Sequence, residues 1–201
     1  MPEKLLLATN NSAKVHEYRS LLRDLPYRVV TPAELAIAIS VPEEGNSLEE
    51  NATIKAKAFA ARSRLLSLAD DSGLEVDALG GEPGHLSARY AGEGVSDAER
   101  VDYLLSRLKD VPWEKRTARF RCVIAIGRPD GTVTLCPGEC QGIITLTPKG
   151  TAGFGYDPVF YLPEVEQTMA ELTLELKNQV SHRGHAARKA CQLLTGLQKK
   201  V

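Results

Sequence analysis

Strand-like and helix-like stretches alternate along the whole chain, and this alternation restricts the fold to the α/β or α+β class. The apolar run at residues 4–9 is typical of a buried first strand, and an amphipathic helix is predicted from about Ser12 until Pro26 stops it. Residues 27–31 and 36–41 are predicted to be further extended segments. The chain therefore does not belong to an all-helical or an all-strand class.

Three capping boxes, in which a serine or threonine precedes a glutamate by three residues, predict helix starts at Ser47, Ser96 and Thr168. The first opens a long alanine-rich helix toward Ser67. The second opens a helix that buries Val101, Leu104, Leu105 and Leu108.

Residues 117–127 alternate as a strand. A turn at residues 128–131 then reverses the chain into a second strand at residues 132–136. A last helix is predicted from about His185, with Ala186, Ala190, Leu193, Leu194 and Leu197 buried.

Length and composition predict one ordinary globular domain, or one domain split into two lobes. The chain has 201 residues, 43% of them hydrophobic, with a formal net charge of -1. A net charge this close to zero argues against nucleic acid as the main partner. No apolar run approaches the ~20 residues of a membrane span, and the N-terminus does not resemble a signal peptide. We therefore expect a soluble, cytoplasmic protein, in which the four scattered cysteines are reduced structural thiols.

The first strand gives way to the first helix through a polar segment at residues 9–14, TNNSAK. The N-terminus of a helix presents unpaired backbone N–H groups and the positive end of the helix dipole, so it suits a phosphate. Lys14 would add a positive charge to the same anion. The alternative is an ordinary helix, capped by Asn11 or Ser12, with a surface lysine.

Two acidic segments could supply oxygen ligands to a hard cation. Asp70 and Asp71 are expected at a strand end before a Ser-Gly turn, and because neighbouring strand residues face opposite sides, only one should face a given site. The loop at residues 42–45, PEEG, precedes the long helix. Mg²⁺ bound with a polyphosphate typically needs one or two protein carboxylates. For Asp70 and Asp71 the alternative is a turn stabilised by an aspartate side chain, and for residues 42–45 it is a solvated acidic loop.

Two polar clusters near the C-terminus combine an aromatic side chain with hydrogen-bond donors. In GFGYDP, at residues 153–158, glycines flank an aromatic ring on which a base could stack. His182 and Arg183 lie in SHRG. Arginine cannot accept a hydrogen bond, so it favours a purine with a keto oxygen at C6 over adenine. Each cluster taken singly also has a purely structural explanation: a tight turn for GFGYDP, and a loop between helices for His182 and Arg183.

Taken together and in order, the motifs resemble the inosine triphosphate pyrophosphatase family, also called the Ham1 or RdgB family of non-canonical purine nucleotide pyrophosphatases. They are TNNSAK followed by Glu17, ENATIKAKA, ADDSGLEVDALGGEPGHLSARYAG, RFRCVIAI, GFGYDPVF and MAELTLELKNQVSHRGHA. The resemblance implies an α/β fold, with residues 1–201 forming a single catalytic domain of two lobes around a mixed, twisted sheet. It also implies a central nucleotide-binding cleft and a homodimer.

The resemblance implies a Mg²⁺-dependent hydrolase, with Mn²⁺ as an alternative ion, that cleaves ITP, dITP and XTP to the monophosphate and pyrophosphate. Asp71 is implied as general base and metal ligand, Lys14 as a catalytic phosphate contact, and Glu43 or Glu44 as the other metal ligand; Glu43, directly after Pro42, fits better. The implied substrate contacts are Thr9, Asn10, Asn11, Ser12, Ala13, Lys14, Lys55, Ser72, Arg89, Phe154, Gly155, Tyr156, Asp157, Lys177, His182 and Arg183.

Two other interpretations are compatible with parts of the pattern. One is a pyrophosphatase for modified pyrimidine nucleotides, as in the similarly folded Maf-like proteins, whose motifs are not evident here. The other is a nucleotide-binding protein without catalytic activity. Carboxylates at Glu43, Asp70 and Asp71 argue against it, because a protein that only binds has little need of a base beside a metal.

Overall fold

The structure is a computed structural model that describes residues 2–198. Its strands are β1 (Glu3–Leu7), β2 (Tyr27–Val30), β3 (Leu66–Val76), β4 (Pro83–Gly84), β5 (Thr117–Gly127), β6 (Val133–Ile144), β7 (Phe160–Leu162) and β8 (Gln167–Thr168). Its α-helices are α1 (Ser12–Leu21), α2 (Leu48–Ser63), α3 (Asp97–Arg107), α4 (Leu174–Val180) and α5 (His182–Gln198). Helices and strands are interspersed, which confirms the predicted α/β class.

The strands form a mixed sheet in the order β2-β1-β3-β5-β6-β7-β8, with β4 paired to β3. β1 pairs in parallel with β2, where Leu5 faces Val29, and with β3, where Leu5 faces Leu66. β4 pairs antiparallel with β3, β7 with β6, and β8 with β7. The mixed character of the sheet agrees with the fold that the sequence implied.

The chain divides into two compact units, and β3, β5 and β6 contribute residues to both. The first unit comprises residues 1–71, 122–138 and 183–201. Here successive strand residues enter two different cores, because side chains alternate across a strand. Leu5 packs with the side chains of α1 and α5, whereas Leu6 packs with those of α2. Burial on both faces explains why this part of the sequence shows continuous apolar runs.

The second unit comprises residues 72–121 and 139–182. Its core is built on the amphipathic face of α3, where Val101, Leu104 and Leu108 are buried as the sequence predicted. Phe120 and Phe160 pack against each other in the same core, with their ring centroids 4.5 Å apart. The capping box at residue 96 forms completely, so α3 begins where expected.

Several local predictions require correction. Residues 36–41 do not form a strand: their apolar side chains pack against the α2 core, but no neighbouring strand pairs with them. The helix that begins after Ser47 ends at Ser63, where Arg64 adopts a left-handed conformation. The last helix begins at His182 rather than near residue 185, which places His182 and Arg183 in its first turn instead of in a loop.

Within residues 2–198, no helix is both long enough and apolar enough to cross a membrane.

Candidate functional site

Asp71 lies at the centre of a polar cluster in the first unit. Lys55 Nζ donates to Asp71 Oδ1 at 3.1 Å and to Glu43 Oε1 at 2.7 Å. Asn51 Nδ2 donates to the second oxygen, Asp71 Oδ2, at 3.3 Å. Asn51 and Lys55 are four residues apart on α2, so they share one face of that helix. Two carboxylates from distant parts of the sequence therefore converge on one lysine, while Glu44 is exposed.

The charge states in this cluster follow from burial and ion pairing. Burial raises the pKa of the Asp71 carboxyl; Lys55 and Lys14 oppose this effect, Glu43 adds to it, and the pKa remains raised. Burial lowers the pKa of the Lys55 ammonium. Asp71, Asp70 and Glu43 outweigh this effect, so the pKa is raised above its ordinary value. The lysine is therefore held in its charged form, whereas the carboxyl has more affinity for a proton than an ordinary aspartate.

Asp70 takes part in a different set of contacts, also in the first unit. Lys14 Nζ lies 2.9 Å from Asp70 Oδ2, and Arg183 Nε lies 3.6 Å from the same oxygen. Arg183 also donates to Glu17 Oε2 at 2.7 Å. Burial of Asp70 opposes ionisation, but Lys14, Arg183 and Lys55 hold its pKa well below the usual range. These groups form a buried chain of alternating charges.

The two aspartates thus have different partners, as strand alternation predicted. They do not lie at the end of a strand, however: β3 continues through both of them to Val76. The expected Ser-Gly turn is absent, because Gly73 is a strand residue that lets β4 approach. A Cβ atom on Gly73 would lie 2.2 Å from the carbonyl oxygen of Gly84.

Asp70 should make the folded protein sensitive to acid. Because its folded pKa is lowered, its stabilisation is present above the ordinary value of 3.8 and is lost as the pH falls through the folded value. We expect Asp70→Asn to lower the free energy of unfolding by roughly 1.5–3 kcal/mol at neutral pH. The difference from the wild type should shrink below about pH 4. Urea unfolding at several pH values tests this, and a constant difference would contradict it.

The segment at residues 9–14 leads from β1 into α1, as predicted: residues 9–11 connect the two elements and residues 12–14 form the first turn of the helix. Asn11 caps the helix, because its side-chain oxygen accepts from the backbone N–H of Lys14 at 3.1 Å. Thr9 Oγ1 accepts from the backbone N–H of Asn11 at 3.2 Å. Asn10, Asn11 and Ser12 are exposed. The ammonium of Lys14 is not a loose surface charge, since it is paired with Asp70.

The aromatic loop, defined as residues 153–157, lies in the second unit. Asp157 Oδ2 accepts from the backbone N–H of Phe154 at 2.9 Å and from Lys177 Nζ at 2.6 Å. The Lys177 ammonium lies 5.2 Å from the centroid of the half-buried Phe154 ring. Tyr156 is buried, and its hydroxyl donates to the carbonyl of Ser87 at 2.9 Å. These contacts favour a role for Lys177 in shaping the aromatic loop over a role on phosphate oxygens.

The remaining expected contacts are distributed over both units. In the second unit Ser72 is half-buried on β3, Arg89 is exposed, and the buried His182 ring stacks on Phe120 at 4.6 Å. In the first unit Arg183 is only 2% exposed.

The sequence interpretation gave no role to Glu17 or Asn51. Both could have been found, because Glu17 is three residues after Lys14 and Asn51 is four before Lys55, on shared helix faces.

The carboxylate pair Glu43 and Asp71 fits a hard divalent cation. Both present oxygen atoms, which Mg²⁺ prefers, and both already surround one positive charge, the Lys55 ammonium. Among residues 2–198 no group of three or more His, Cys, Asp or Glu side chains is placed to hold a metal ion. Two carboxylates are nevertheless enough when a substrate supplies the other oxygen ligands.

A mixed α/β fold that gathers carboxylates and lysines in this way is suited to enzymes that hydrolyse phosphate anhydrides. The family model described as the Ham1 family matches residues 5–193. The dITP/XTP pyrophosphatase of Desulforamulus reducens is 52% identical over 194 residues, covering 96% of each chain. That of Bacillus subtilis is 43% identical, covering 96% of this chain and 97% of its own. The chain belongs to the Ham1 family.

Solved structures agree with the sequence comparison. A Ham1 protein from Coxiella burnetii superimposes with a TM-score of 0.87 at 40% identity, covering 96% of this chain and 99% of that chain. A Ham1 protein from Staphylococcus aureus gives a TM-score of 0.86 at 41% identity, with the same coverage. The fold implied by the sequence motifs is thereby confirmed.

Proposed function

We propose that the chain is a nucleoside triphosphate pyrophosphatase that hydrolyses the non-canonical purine nucleotides ITP, dITP and XTP to the monophosphate and pyrophosphate. The observation that carries this proposal is the convergence of Glu43 and Asp71 on Lys55, in a chain that belongs to the Ham1 family. The names of its relatives, dITP/XTP pyrophosphatase, support the substrate class. By this activity the protein would remove damaged purine nucleotides from the nucleotide pool.

Asp71 is the group best placed to accept a proton from the attacking water. Its two oxygens are oriented by Lys55 and Asn51, and its pKa is raised, mainly by burial. A base is most useful when its pKa lies closer to the working pH. In the proposed reaction the oxygen of water forms a bond to the α-phosphorus while its proton passes to Asp71. The bond from the α-phosphorus to the bridging oxygen breaks, and its electron pair leaves on pyrophosphate.

Positive side chains of the first unit would stabilise the charge that develops on the phosphate oxygens. Lys55 is charged and adjacent to Asp71, and Lys14 lies at the N-terminus of α1, where unpaired backbone N–H groups also favour an anion. Thr9, Asn10, Asn11, Ser12 and Ala13 would contact the same end of the substrate. Because the donors are held by ion pairs and a helix cap, little reorganisation is needed when the substrate binds.

We propose Mg²⁺ as the metal, held by Glu43 and Asp71, with Mn²⁺ able to replace it. When bound, the ion would neutralise charge on the triphosphate as pyrophosphate leaves. Lys55 contacts both carboxylates and would keep them close together in the absence of the ion.

Base recognition is assigned to the aromatic loop and to four polar residues outside it. The ring of Phe154 offers a stacking face for the purine, with Gly155, Tyr156 and Asp157 shaping the loop around it. Donors that face the keto oxygen at C6 would disfavour ATP, because an unpaired donor in a pocket costs about 1–3 kcal/mol. His182 and Arg183, with Ser72 and Arg89, are the proposed polar contacts.

The activity is tested by offering the purified protein ITP, dITP, XTP, GTP, ATP and pyrimidine triphosphates in parallel, with Mg²⁺ or with EDTA. Pyrophosphate and orthophosphate are measured separately. We expect rapid pyrophosphate release from the first three nucleotides, little from the others, and none with EDTA. Release from the pyrimidine nucleotides alone would indicate the Maf-like activity. Tight binding without any turnover would indicate a nucleotide-binding protein.

Two further properties stay predictions. A homodimer is implied by the family resemblance, and light scattering of the purified protein would test it by the mass in solution. A cytoplasmic location is the other prediction, which fractionation of the source cells would test.

A further inference from the structure

Asp97, the first residue of α3, links the aromatic loop to a helix of the second unit. Its Oδ2 atom accepts from the backbone N–H of Gly155 at 2.6 Å. Its other oxygen, Oδ1, pairs with the guanidinium of Arg100, one turn further along the helix. Both oxygens of Asp97 are therefore engaged, although its side chain is 45% exposed.

The aromatic loop is held at two successive backbone groups by two different carboxylates. Asp157 accepts from the N–H of Phe154, and Asp97 accepts from the N–H of Gly155. Gly153 and Gly155 have φ values of +77° and +61°, a region that side chains strongly disfavour. The peptide units on both sides of Phe154 are thus each held by a carboxylate. Their positions determine where the Phe154 ring points.

Arg100 extends the same set of contacts to a second segment. Its guanidinium also donates to the backbone carbonyl of Ala88, which directly precedes Arg89. The turn that carries Arg89 is also held by the hydroxyl of Tyr156, which donates to the carbonyl of Ser87. The pair Asp97 and Arg100 therefore connects the two segments of the second unit that carry Phe154 and Arg89.

We propose that Asp97, together with Arg100, is a positioning residue for purine recognition. It fixes the aromatic loop, and hence the stacking face of Phe154, relative to Arg89 before the nucleotide arrives. This inference rests on the proposed function, because it assumes that Phe154 contacts the base. Asp97 is bonded to Gly155 and Arg100 and is not among the residues assigned to the phosphates, the metal or the attacking water, so its loss should weaken binding and leave the chemical step unchanged.

An acidic residue in the first turn of a helix also stabilises that helix through its dipole, and this role alone would affect only stability. The two roles predict different kinetics. Loss of preorganisation raises the KM without lowering kcat, because the interaction contributes equally to ground state and transition state. Loss of a dipole contact shifts the unfolding midpoint and leaves the KM unchanged.

The test compares Asp97→Ala with Asp97→Asn and Asp102→Ala in steady-state hydrolysis of ITP. Asp102 is an exposed aspartate on the same helix and serves as the matched control. We expect the alanine variant to raise the KM roughly three- to tenfold, the range for one lost hydrogen bond, with kcat within twofold of the wild type. Asparagine keeps an acceptor for the Gly155 N–H and should restore much of the affinity. Asp102→Ala should match the wild type.

An unchanged KM in Asp97→Ala would overturn the inference, as would an equal rise in the KM of Asp102→Ala. A fall in kcat at unchanged KM would also overturn it, because Asp97 would then act on the chemical step. Thermal unfolding of each variant, measured beside the kinetics, shows that the folded protein is compared. If the wild type itself releases no pyrophosphate from ITP, dITP or XTP, the proposed function fails. If the wild type is active and its kinetics do not change in Asp97→Ala, only the inference on Asp97 fails.

Discussion

Replacing Asp71 by asparagine should lower kcat for ITP by roughly two to four orders of magnitude, the contribution expected of a general base. Asparagine has nearly the same size and can still accept a hydrogen bond from Lys55, but it cannot take a proton from water. Lys55 retains Glu43 as an ion-pair partner, so the cluster should remain folded. Nucleotide affinity should fall only modestly, because the phosphate contacts of Lys14 and the α1 N-terminus are untouched.

The measurement is pyrophosphate release under saturating ITP and Mg²⁺, accompanied by calorimetric titration of the nucleotide. Asp24→Asn is the matched control, since Asp24 is an aspartate of the same unit whose side chain is 93% exposed. That variant should turn over at the wild-type rate. Near-normal turnover in Asp71→Asn would show that another group activates the water.

Local sequence rules predicted much of the fold because they report local physics. The strand at Thr117–Gly127 and the start of α3 were placed correctly, since the alternation that opens this strand and the complete capping box are both encoded within a few residues. Residues 36–41 show the limit of this reasoning. Their alternating apolar side chains do pack on a core, but a strand also needs a neighbour to accept its hydrogen bonds, and sequence alternation does not reveal one.

The residues of the candidate site were proposed from the sequence, but the ion pairs and hydrogen bonds between them were not. Asp70 and Asp71 were expected to end a strand before a Ser-Gly turn, but both are buried within β3, where carboxylates are costly unless they are paired. The compensating cations are Lys14, Lys55 and Arg183, and they come from α1, α2 and α5, far apart in sequence. No local pattern links those helices to β3. The resemblance to a family supplied the list of residues, and only the structure supplied their partners.

Replacing Arg183 by methionine should destabilise the protein by about 3–5 kcal/mol, even without nucleotide. Its guanidinium is 2% exposed and pairs with Glu17, which is 5% exposed, and with the buried Asp70. Removal deletes a close ion pair of the buried Glu17 carboxylate. Asp70 is less affected because Lys14 remains beside it. Urea unfolding at neutral pH measures the loss, with Arg188→Met, an exposed arginine of the same helix, as the control.

A double variant, Glu17→Met with Arg183→Met, separates the cost of losing one member of the ion pair from the value of the pair itself. Replacing both members of a buried ion pair by apolar side chains of similar size is often nearly neutral, because the desolvation of both charges is avoided. The double variant should therefore be more stable than Arg183→Met alone. A double variant less stable than Arg183→Met would contradict this expectation, and one clearly less stable than the wild type would show that the pair contributes net stability to the fold. A loss below about 1 kcal/mol in Arg183→Met would mean that Glu17 is neutralised or hydrated without its partner.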